Sequence, residues 1–191
     1  MGILTQPPVR GAILVAFLAL PAASLVRQPV SAQEPSPEYQ IKAAFLLNFA
    51  RYIEWPGPVF PTDESPLTLC VLEPNPFGTA LARTVEGERV QGHAIIVQSV
   101  AALAQVGRCH LLFIPESARG RAASVIAQVE SVGTPTATVG EFPGFIDAGG
   151  VINLLTVGDR VRFEVNVGAA ERRGLRVSSR LLRLAVTVRR S

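Results

Sequence analysis

Two short, almost wholly apolar runs constrain the fold of this chain more than any other feature. They occupy residues 67–72 and 109–114, and each is followed by a turn that contains proline. Apolar runs of this length are typical of strands that are covered on both faces, as in parallel sheets. Further strands are predicted at residues 93–98 and 135–139, with helical segments between the strands. Strands that alternate with helices predict an α/β domain.

A hairpin is predicted late in the chain. Residues 151–157 and 161–167 flank Gly158-Asp159-Arg160, which suits a two- or three-residue turn. Apolar and polar residues alternate in the second strand and therefore point to opposite faces. The apolar face consists of Val161, Phe163, Val165 and Val167. We expect a layered α/β domain with a mixed, partly parallel sheet, flanked by helices and extended by this antiparallel hairpin.

Residues 38–55 predict one helix of about five turns. It follows Pro37, which helices tolerate at their start, and it stops before Pro56, which lacks a backbone N–H. Apolar residues cover more of this helix than one sheet face can bury. Its polar edge consists of Asn48, Arg51 and Glu54. We predict that the helix contributes to a homodimer, and a plain core helix is the alternative.

The first 32 residues have the features of an export signal. Arg10 precedes the uncharged run 11–20, and Val30-Ser31-Ala32 fits the small-x-small rule for a cleavage site. The run is shorter than the roughly 20 residues of a membrane span. We predict cleavage of residues 1–32 and a single mature domain, residues 33–191, in the periplasm. An uncleaved anchor is the alternative.

Charge is unevenly distributed along the predicted mature domain. Without Arg10 and Arg27 it keeps 16 basic and 15 acidic residues, a net charge of +1, which does not favour nucleic-acid binding. Residues 33–159 carry a net charge of −6, and residues 160–191 carry +7. Either this segregation marks a surface for an anionic partner, or the charges intermix when the chain folds.

Five arginines follow the hairpin: Arg172, Arg173, Arg176, Arg180 and Arg183. Arginine offers planar contacts with several donors and is enriched at protein interfaces. We predict that Arg176 and Arg180 belong to the surface that contacts a partner. A solvated basic face is the alternative explanation of the cluster.

The sequence contains no recognisable catalytic constellation. Its two histidines, His93 and His110, fall in predicted strands, where a histidine is usually structural. A nucleophile elbow, a phosphate-binding loop and a His-Glu-x-x-His motif are all missing. Two histidines and two cysteines without tight spacing do not favour a zinc site. We therefore predict a protein that is not an enzyme, with no catalytic residue, metal or cofactor.

The two cysteines, Cys70 and Cys109, are the strongest chemical signal in the chain. An exported protein with an even number of cysteines favours a disulfide. Cys70 lies inside the first predicted strand and Cys109 opens the third, so neighbouring parallel strands would bring them within reach. From the residues alone, a disulfide and two buried free thiols both fit.

Polar residues follow the carboxyl ends of three predicted strands. They are Glu73 and Asn75, then Glu116 and Ser117, then Glu141. In open parallel sheets, ligands bind beyond these strand ends. If the first, third and fourth strands are adjacent, the three loops converge into a candidate ligand site. If they are not, the loops are unrelated surface turns.

Four segments follow one another along the chain: EYQIKAAFLLNFARYIEWP, LCVLEPNPFG, CHLLFIPES and GGVINLLTVGDRVRFEVNVGAAERRGLRVSSRLLRLA. Together they resemble the YfiR family of bacterial periplasmic proteins. The resemblance extends from residue 38 to residue 185, and its specificity lies in the set and order of the segments. It implies an α/β fold and a regulator that forms homodimers.

The resemblance also implies partners. The family's namesake restrains an inner-membrane diguanylate cyclase through the periplasmic sensor domain of that enzyme, and an outer-membrane lipoprotein relieves the restraint. Cys70 and Cys109 fall where such proteins carry a cysteine pair. A second pair has no counterpart here, because Phe142, Phe145 and Ile152 occupy that region. Redox control through a second bridge is therefore not implied for this chain.

Two functions from different classes follow. The first is a non-enzymatic periplasmic regulator that binds and represses a membrane-bound signalling enzyme, which we expect to be a diguanylate cyclase. The second is a periplasmic small-molecule binding or sensor protein that uses the loops at the strand ends. The absence of a catalytic constellation from the sequence favours binding in both cases.

Overall fold

The computed structural model describes residues 1–3 and 36–190 of the 191-residue chain. The chain divides into two units, Met1–Ser31 and Ala32–Ser191. In the first unit only residues 1–3 are described, and they are exposed and without regular structure. The predicted export signal and its cleavage site lie almost wholly outside the described residues, and both stay predictions.

The described part of the second unit, residues 36–190, contains ten strands and five α-helices. The strands are β1 Ile53–Glu54, β2 Leu67–Leu72, β3 Arg89–Val90, β4 His93–Val100, β5 Leu111–Ile114, β6 Ala137–Gly140, β7 Ile152–Val157, β8 Arg160–Asn166, β9 Arg176–Val177 and β10 Thr187–Arg189. The helices are α1 Pro37–Tyr52, α2 Ala80–Val85, α3 Ala122–Val132, α4 Val167–Arg172 and α5 Ser179–Leu182. Short 3-10 helices lie at Gly57–Val59, Leu103–Arg108 and Glu116–Arg121.

Eight of the strands form one mixed sheet in the order β10-β8-β7-β6-β5-β2-β4-β3. The central strands β7, β6, β5, β2 and β4 run parallel to one another. β8 pairs antiparallel with β7, and β10 runs parallel to β8 at the edge. The predicted mixed α/β sheet with a late antiparallel hairpin is confirmed. β1 and β9 form a separate two-stranded sheet.

Helices cover the centre of the large sheet on both faces. On one face α1, α2 and α5 pack over a core that includes Phe49 and Phe163. On the other face α3 packs over a core that includes Leu112 and Phe145. β2 and β5 are buried at every position, because they lie between these two layers. The two apolar runs of the sequence are therefore the strands that both cores share.

The long helix is shorter than predicted. α1 ends at Tyr52, and Ile53–Glu54 continue as strand β1, which pairs with Arg176–Val177 of β9. A β-branched residue and a residue before proline both favour extended backbone, and α1 is followed directly by Ile53 and then by Trp55 and Pro56. The pairing with a distant segment then decides in favour of the strand.

The chain itself covers most of the apolar surface of α1. The rings of Phe45 and Phe49 pack against Phe163 with centroids 5.9 and 5.2 Å away. The solvent-facing stripe of the helix consists of Gln40, Ile41, Ala44, Asn48 and Arg51. Ile41 is the large apolar side chain that this stripe exposes. Intramolecular packing thus accounts for the wide apolar coverage that motivated the homodimer, which stays a prediction.

Two phenylalanines, Phe142 and Phe145, pack the glycine-rich loop of residues 141–150. Phe142 and Phe145 are buried, and their rings meet edge to face with centroids 5.2 Å apart. A Cβ on Gly140 would come within 2.4 Å of the Phe145 ring, and one on Gly150 within 2.1 Å. Glycine is therefore needed on both sides of Phe145. This packing fixes the loop of residues 141–150, which begins with Glu141.

Candidate functional site

A disulfide joins Cys70 of β2 to Cys109, which lies two residues before β5. Their Cα atoms are 5.7 Å apart. The structure therefore selects the disulfide over the two free thiols that the residues alone also allowed. β2 and β5 are neighbours and parallel, as the prediction required.

The carboxyl ends of β2 and β5 form a topological switch point. After β2 the chain turns to α2 on one face of the sheet, and after β5 it turns to α3 on the other face. Crevices at such points are the usual ligand sites of open α/β sheets. β6 lies beside β5 and is parallel to it, so the first, third and fourth predicted strands are indeed adjacent.

The structure brings two of the predicted ligand residues into direct contact. The backbone N–H of Glu116 donates to Oε1 of Glu141 over 2.9 Å. Glu73 and Asn75 are instead engaged within their own turn, where Glu73 Oε2 accepts from the Asn75 N–H at 2.8 Å. Ser117 is exposed in the 3-10 helix that follows β5. The three loops meet at one edge, but their side chains do not all converge on one point.

The first turn of α1 fills much of this edge. Lys42 Nζ lies 2.6 Å from Glu141 Oε2 and 2.6 Å from Glu38 Oε1. The Tyr39 hydroxyl donates to Glu141 Oε1 over 3.0 Å, and its ring meets Phe77 edge to face at 5.3 Å. The side chains of Lys42 and Glu141 are only 6% and 2% exposed. Sequence reasoning missed Tyr39 and Lys42, because a helix pattern does not say which strand ends the helix will cross.

Burial and contacts among the side chains at this edge shift the pKa values of three of them: Lys42, Glu38 and Tyr39. Burial alone lowers the pKa of Lys42, but hydrogen bonds and charges from Glu141 and Glu38 outweigh it and raise the pKa. Hydrogen bonds from Lys42 and Thr156 lower the pKa of Glu38. Burial and the Glu141 charge raise the pKa of Tyr39. The four side chains at this edge, Glu38, Tyr39, Lys42 and Glu141, thus form one network of ion pairs and hydrogen bonds. Beside it lies a cavity of about 350 Å³, lined partly by Leu154 and Leu155.

The predicted partner surface is more open. Arg176 of β9 forms an ion pair with Glu54 of β1, with 2.8 Å between Nη2 and Oε2. The two side chains are 83% and 56% exposed. Arg180 is exposed on α5. These two arginines are accessible on neighbouring elements, as the surface prediction requires, and their role stays a prediction.

Arg173 differs from the rest of the predicted arginine cluster. Its guanidinium is buried and donates to the carbonyls of Ala169 and Gly149 at 3.0 and 3.1 Å. It also bonds Glu130 Oε1 at 3.0 Å. Arg173 therefore fastens α4 to α3 and to the glycine-rich loop, and it does not belong to the basic surface. A run of adjacent arginines gives no sign of which one is buried.

A groove of about 620 Å³ lies beside Arg176. Its lining consists of Glu54, Trp55, Pro56, Gln91, Gly174 and Arg176. The Gln91 side chain donates to the Ile53 carbonyl at 3.0 Å and so ties the β3–β4 turn to β1. Sequence reasoning missed this groove, because its residues are far apart in the chain and meet only through the β1–β9 pairing.

The two histidines have structural contacts, in keeping with their position at strand starts. His93 opens β4 and His110 precedes β5, and the ring of Phe60 lies between them. Among the described residues no group of three or more His, Cys, Asp or Glu side chains is placed to hold a metal ion.

The model of the YfiR/HmsC-like family, DUF4154, matches residues 39–186. This chain belongs to the YfiR/HmsC-like family. The resemblance that the four sequence segments carried is thereby confirmed. YfiR/HmsC-like proteins are a periplasmic, regulatory family. None of the described helices combines the length and the hydropathy needed to cross a membrane.

Solved structures resemble this YfiR/HmsC-like chain at low identity. A conserved domain protein from Vibrio cholerae O1 biovar El Tor is 10% identical with a TM-score of 0.52, covering 79% of this chain and 60% of that one. The ABC domain in complex with L-Trp from Streptococcus pneumoniae is 11% identical with a TM-score of 0.49, covering 78% of this chain and 61% of that one. The chain thus spans about 60% of the length of these structures. The first likeness shows the fold alone. No curated protein matches the sequence.

Proposed function

We propose that this protein is exported, is cleaved near Ala32 and represses an inner-membrane diguanylate cyclase by binding its periplasmic sensor domain. The protein carries out no chemistry of its own in this proposal. Family membership supports a periplasmic regulator in general, and the exposed Arg176–Glu54 pair beside an open groove supports the site of contact. An outer-membrane lipoprotein that relieves the repression is part of the same proposal.

The Arg176–Glu54 pair suits an exchangeable contact. Ion pairs between exposed side chains contribute only about 0–1 kcal/mol, because water and salt screen them. A carboxylate on a partner can therefore replace Glu54 at little cost to the fold. Arg180 lies on α5, which follows β9 closely in the chain, and extends the basic surface. The single observation that carries the proposal is that the exposed Arg176–Glu54 ion pair lies beside a groove that Trp55 also lines.

The contact that we propose has an electrostatic signature. Opposite charges across an interface raise the association rate and make it depend on salt. We therefore expect association with the sensor domain to slow as ionic strength rises.

We also propose that the protein forms a homodimer. Sedimentation at micromolar concentration tests this proposal, and a strictly monomeric protein would contradict it.

Deletion of the gene and affinity capture test the proposed function together. We expect cellular cyclic-di-GMP to rise on deletion and to fall again when the wild-type gene is restored. The exported protein, used as bait on solubilised membranes, is expected to recover a diguanylate cyclase. Unchanged cyclic-di-GMP on deletion, with no cyclase recovered, would contradict the proposal.

A small-molecule sensor is the second candidate function. The cavity of about 350 Å³ at the carboxyl edge favours it, because it combines apolar walls with the buried Lys42–Glu141 pair. A thermal-shift screen of periplasmic metabolites tests this candidate. A ligand that raises the melting temperature of the wild type and not of Leu155→Arg, which would fill the cavity, would support it. No shift with any compound would leave repression by direct contact as the sole proposal.

A further inference from the structure

The rings of Phe60, His93 and His110 form a stack that the proposed function does not use. Phe60 lies 3.7 Å from His93 and 4.7 Å from His110 between ring centroids, and both pairs are within 10° of parallel. Phe60 belongs to the proline-rich segment of residues 57–66, whereas the histidines precede or open sheet strands. The stack thus fastens this segment, here called the stacked segment, to the amino end of the sheet.

Hydrogen bonds define the proton positions of the neutral rings. The Thr68 N–H donates to His110 Nδ1 at 2.9 Å, so Nδ1 is an acceptor and the proton of the neutral ring sits on Nε2. Nε2 of His110 is buried and has no hydrogen-bond partner among the described residues. The Ser65 carbonyl lies 2.7 Å from His93 Nδ1, which donates to it.

Protonation of His110 would break this arrangement. A proton on Nδ1 would face the Thr68 N–H, so that two donors would oppose each other and the hydrogen bond would be lost. The new charge would also be buried, and only the Val59 backbone near the ring partly offsets that cost. Burial of an uncompensated charge is unfavourable enough that a group either stays neutral or moves to water. His110 would therefore favour an arrangement in which the stack is open.

The groups around the stack offer no negative charge to compensate. His110 faces the Val59 backbone, the Thr68 amide and the edge of the Trp55 ring. His93 faces Phe60 and the Ser65 carbonyl. Among the described charged residues of the packed elements, none forms a hydrogen bond or ion pair with either ring. These residues are Glu54 on β1, Asp63 and Glu64 in the stacked segment, Arg89 on β3 and Arg108 before β5.

The stack is connected to the groove beside Arg176. The Trp55 indole N–H donates to the His110 carbonyl at 3.2 Å, and the two rings meet edge to face at 6.5 Å. Pro56, which also lines the groove, directly precedes the stacked segment. Movement of that segment would therefore displace two of the residues that line the groove.

We propose that the stacked segment covers this end of the sheet at neutral pH and is released from it at acidic pH. Protonation of His110 frees Phe60, residues 57–66 leave the sheet, and the Trp55 wall of the groove changes shape. The expected effect on a partner rests on the proposed function. The release of residues 57–66 does not depend on it. Periplasmic binding at this groove would then weaken when the medium turns acidic.

The direction of the pH dependence follows from the contacts. Burial lowers the pKa of His110 below 6.5, the charge of His93 lowers it further, and the Val59 backbone partly opposes both. The closed stack therefore binds the proton more weakly than the released segment does. Its stability is complete above pH 6.5 and declines as the pH falls from there to the lower pKa of the closed state. Across that window the closed-to-released ratio falls by up to about tenfold per pH unit for one proton.

The chain carries its own probe for this equilibrium. Trp55 is its single tryptophan, it is 6% exposed, and it touches His110. We expect a red shift of its fluorescence between pH 7.5 and pH 5, with a midpoint below 6.5, in the full-length exported protein. Hydrogen-exchange protection factors, which are corrected for the slower intrinsic exchange at acidic pH, should fall at least tenfold in residues 57–66 over the same range, while those of β2 and β5 are kept.

Variants separate the two histidines. His110→Asn places a neutral oxygen near the position of Nδ1, so it should keep the Thr68 bond and abolish the titration. His93→Asn should keep the titration and move its midpoint upward, because the charge of His93 no longer opposes protonation. Phe60→Leu is a second test that leaves both histidines in place, and it should release the segment already at pH 7.5.

Two results would overturn the inference. The first is an emission maximum, and protection factors in residues 57–66, that do not change between pH 7.5 and pH 5 in the wild type. The second is an unchanged titration in a folded His110→Asn protein. Capture of the sensor domain at pH 7.5 and at pH 5.5 separates this inference from the proposed function. No capture at either pH contradicts the proposed function alone, whereas equal capture at both overturns the effect on the partner.

Discussion

The carboxyl edge of the sheet and the groove beside Arg176 hold opposite charges in contrasting ways. At the edge, Lys42 and Glu141 are 6% and 2% exposed and lie 2.6 Å apart. At the groove, Arg176 and Glu54 are 83% and 56% exposed and lie 2.8 Å apart. The distances are nearly equal, so distance does not distinguish the two pairs. Exposure does, because a buried charge that loses its partner has no water to replace it.

The two ion pairs suit different roles, one in stabilising the fold and the other in binding a partner. The Lys42–Glu141 pair anchors α1 across the strand ends, where the sequence predicted a ligand site. The Arg176–Glu54 pair contributes little to folding and can exchange partners, which suits the surface that we propose for a sensor domain. The buried ion pair at the carboxyl edge is thus less suited to contact another protein than the exposed pair beside the groove.

Removal of Lys42 should have the largest effect on stability. Lys42→Met leaves Glu141 buried and unpaired, and we expect a loss of about 3–5 kcal/mol in the free energy of unfolding. Urea denaturation followed by circular dichroism measures it. Arg176→Met is the matched control, with an expected loss of about 0–1 kcal/mol. Equal losses for the two variants would abolish the contrast.

Removal of the disulfide should rank next. Its ends are 39 residues apart, and closure of such a loop stabilises by up to roughly 4 kcal/mol in the chain-entropy account. We expect Cys70→Ala with Cys109→Ala to lose about 2–4 kcal/mol, while capture of the partner at the Arg176 groove persists. Thiol counting on denatured, unreduced protein should find no free thiol. Two free thiols would mean that the bridge does not form in the exported protein.

Crowding around Phe145 should have a smaller effect. Gly150→Ala would place a Cβ 2.1 Å from the Phe145 ring, and overpacking of this kind costs about 1–3 kcal/mol. Gly120→Ala is the control, because nothing lies within 4 Å of its added Cβ. Thermal denaturation compares the two. If Gly150→Ala were as stable as Gly120→Ala, the loop that carries Glu141 would be less rigidly packed than described.

The sequence predicted the parts of this fold that have local signatures. The run 67–72 is strand β2 without a change of boundary, because an apolar run between prolines leaves little choice. Ala122, Val125, Ile126 and Val129 recur at the spacing of one helix face, and this stripe faces the core. Serine is favoured at helix N-caps, and Ser178 caps α5 by accepting from the Leu181 N–H. Each of these features depends on residues that are close together in the chain.

The missed features depend on distant residues. β1 and β9 are two residues long, and Glu54 meets Arg176 across 122 positions. No local sequence pattern marks so short a strand pairing, so the groove that the pairing creates could not be predicted from the sequence. Phe60 lies between Pro58 and Pro61, a composition typical of a surface loop, yet its ring stacks on two histidines. The candidate ligand loops were placed at the correct edge, but the sequence did not reveal that α1 would fill it.

The smallest expected effect on stability accompanies the largest expected effect on function. Arg176→Glu with Arg180→Glu should change the free energy of unfolding by no more than about 1 kcal/mol, because both side chains are exposed. Arg83→Glu with Arg108→Glu is the matched control, since these exposed arginines lie on other elements. Both proteins should be exported and folded at the level of the wild type.

Cellular cyclic-di-GMP in a deletion strain that carries one or the other double variant tests the central claim most directly. We predict that the Arg83/Arg108 variant restores the low wild-type level. The Arg176/Arg180 variant should leave cyclic-di-GMP as high as in the deletion strain, because reversed charges slow association with the sensor domain. Full repression by a folded Arg176/Arg180 variant would contradict the claim that this protein regulates its partner through the groove beside Arg176.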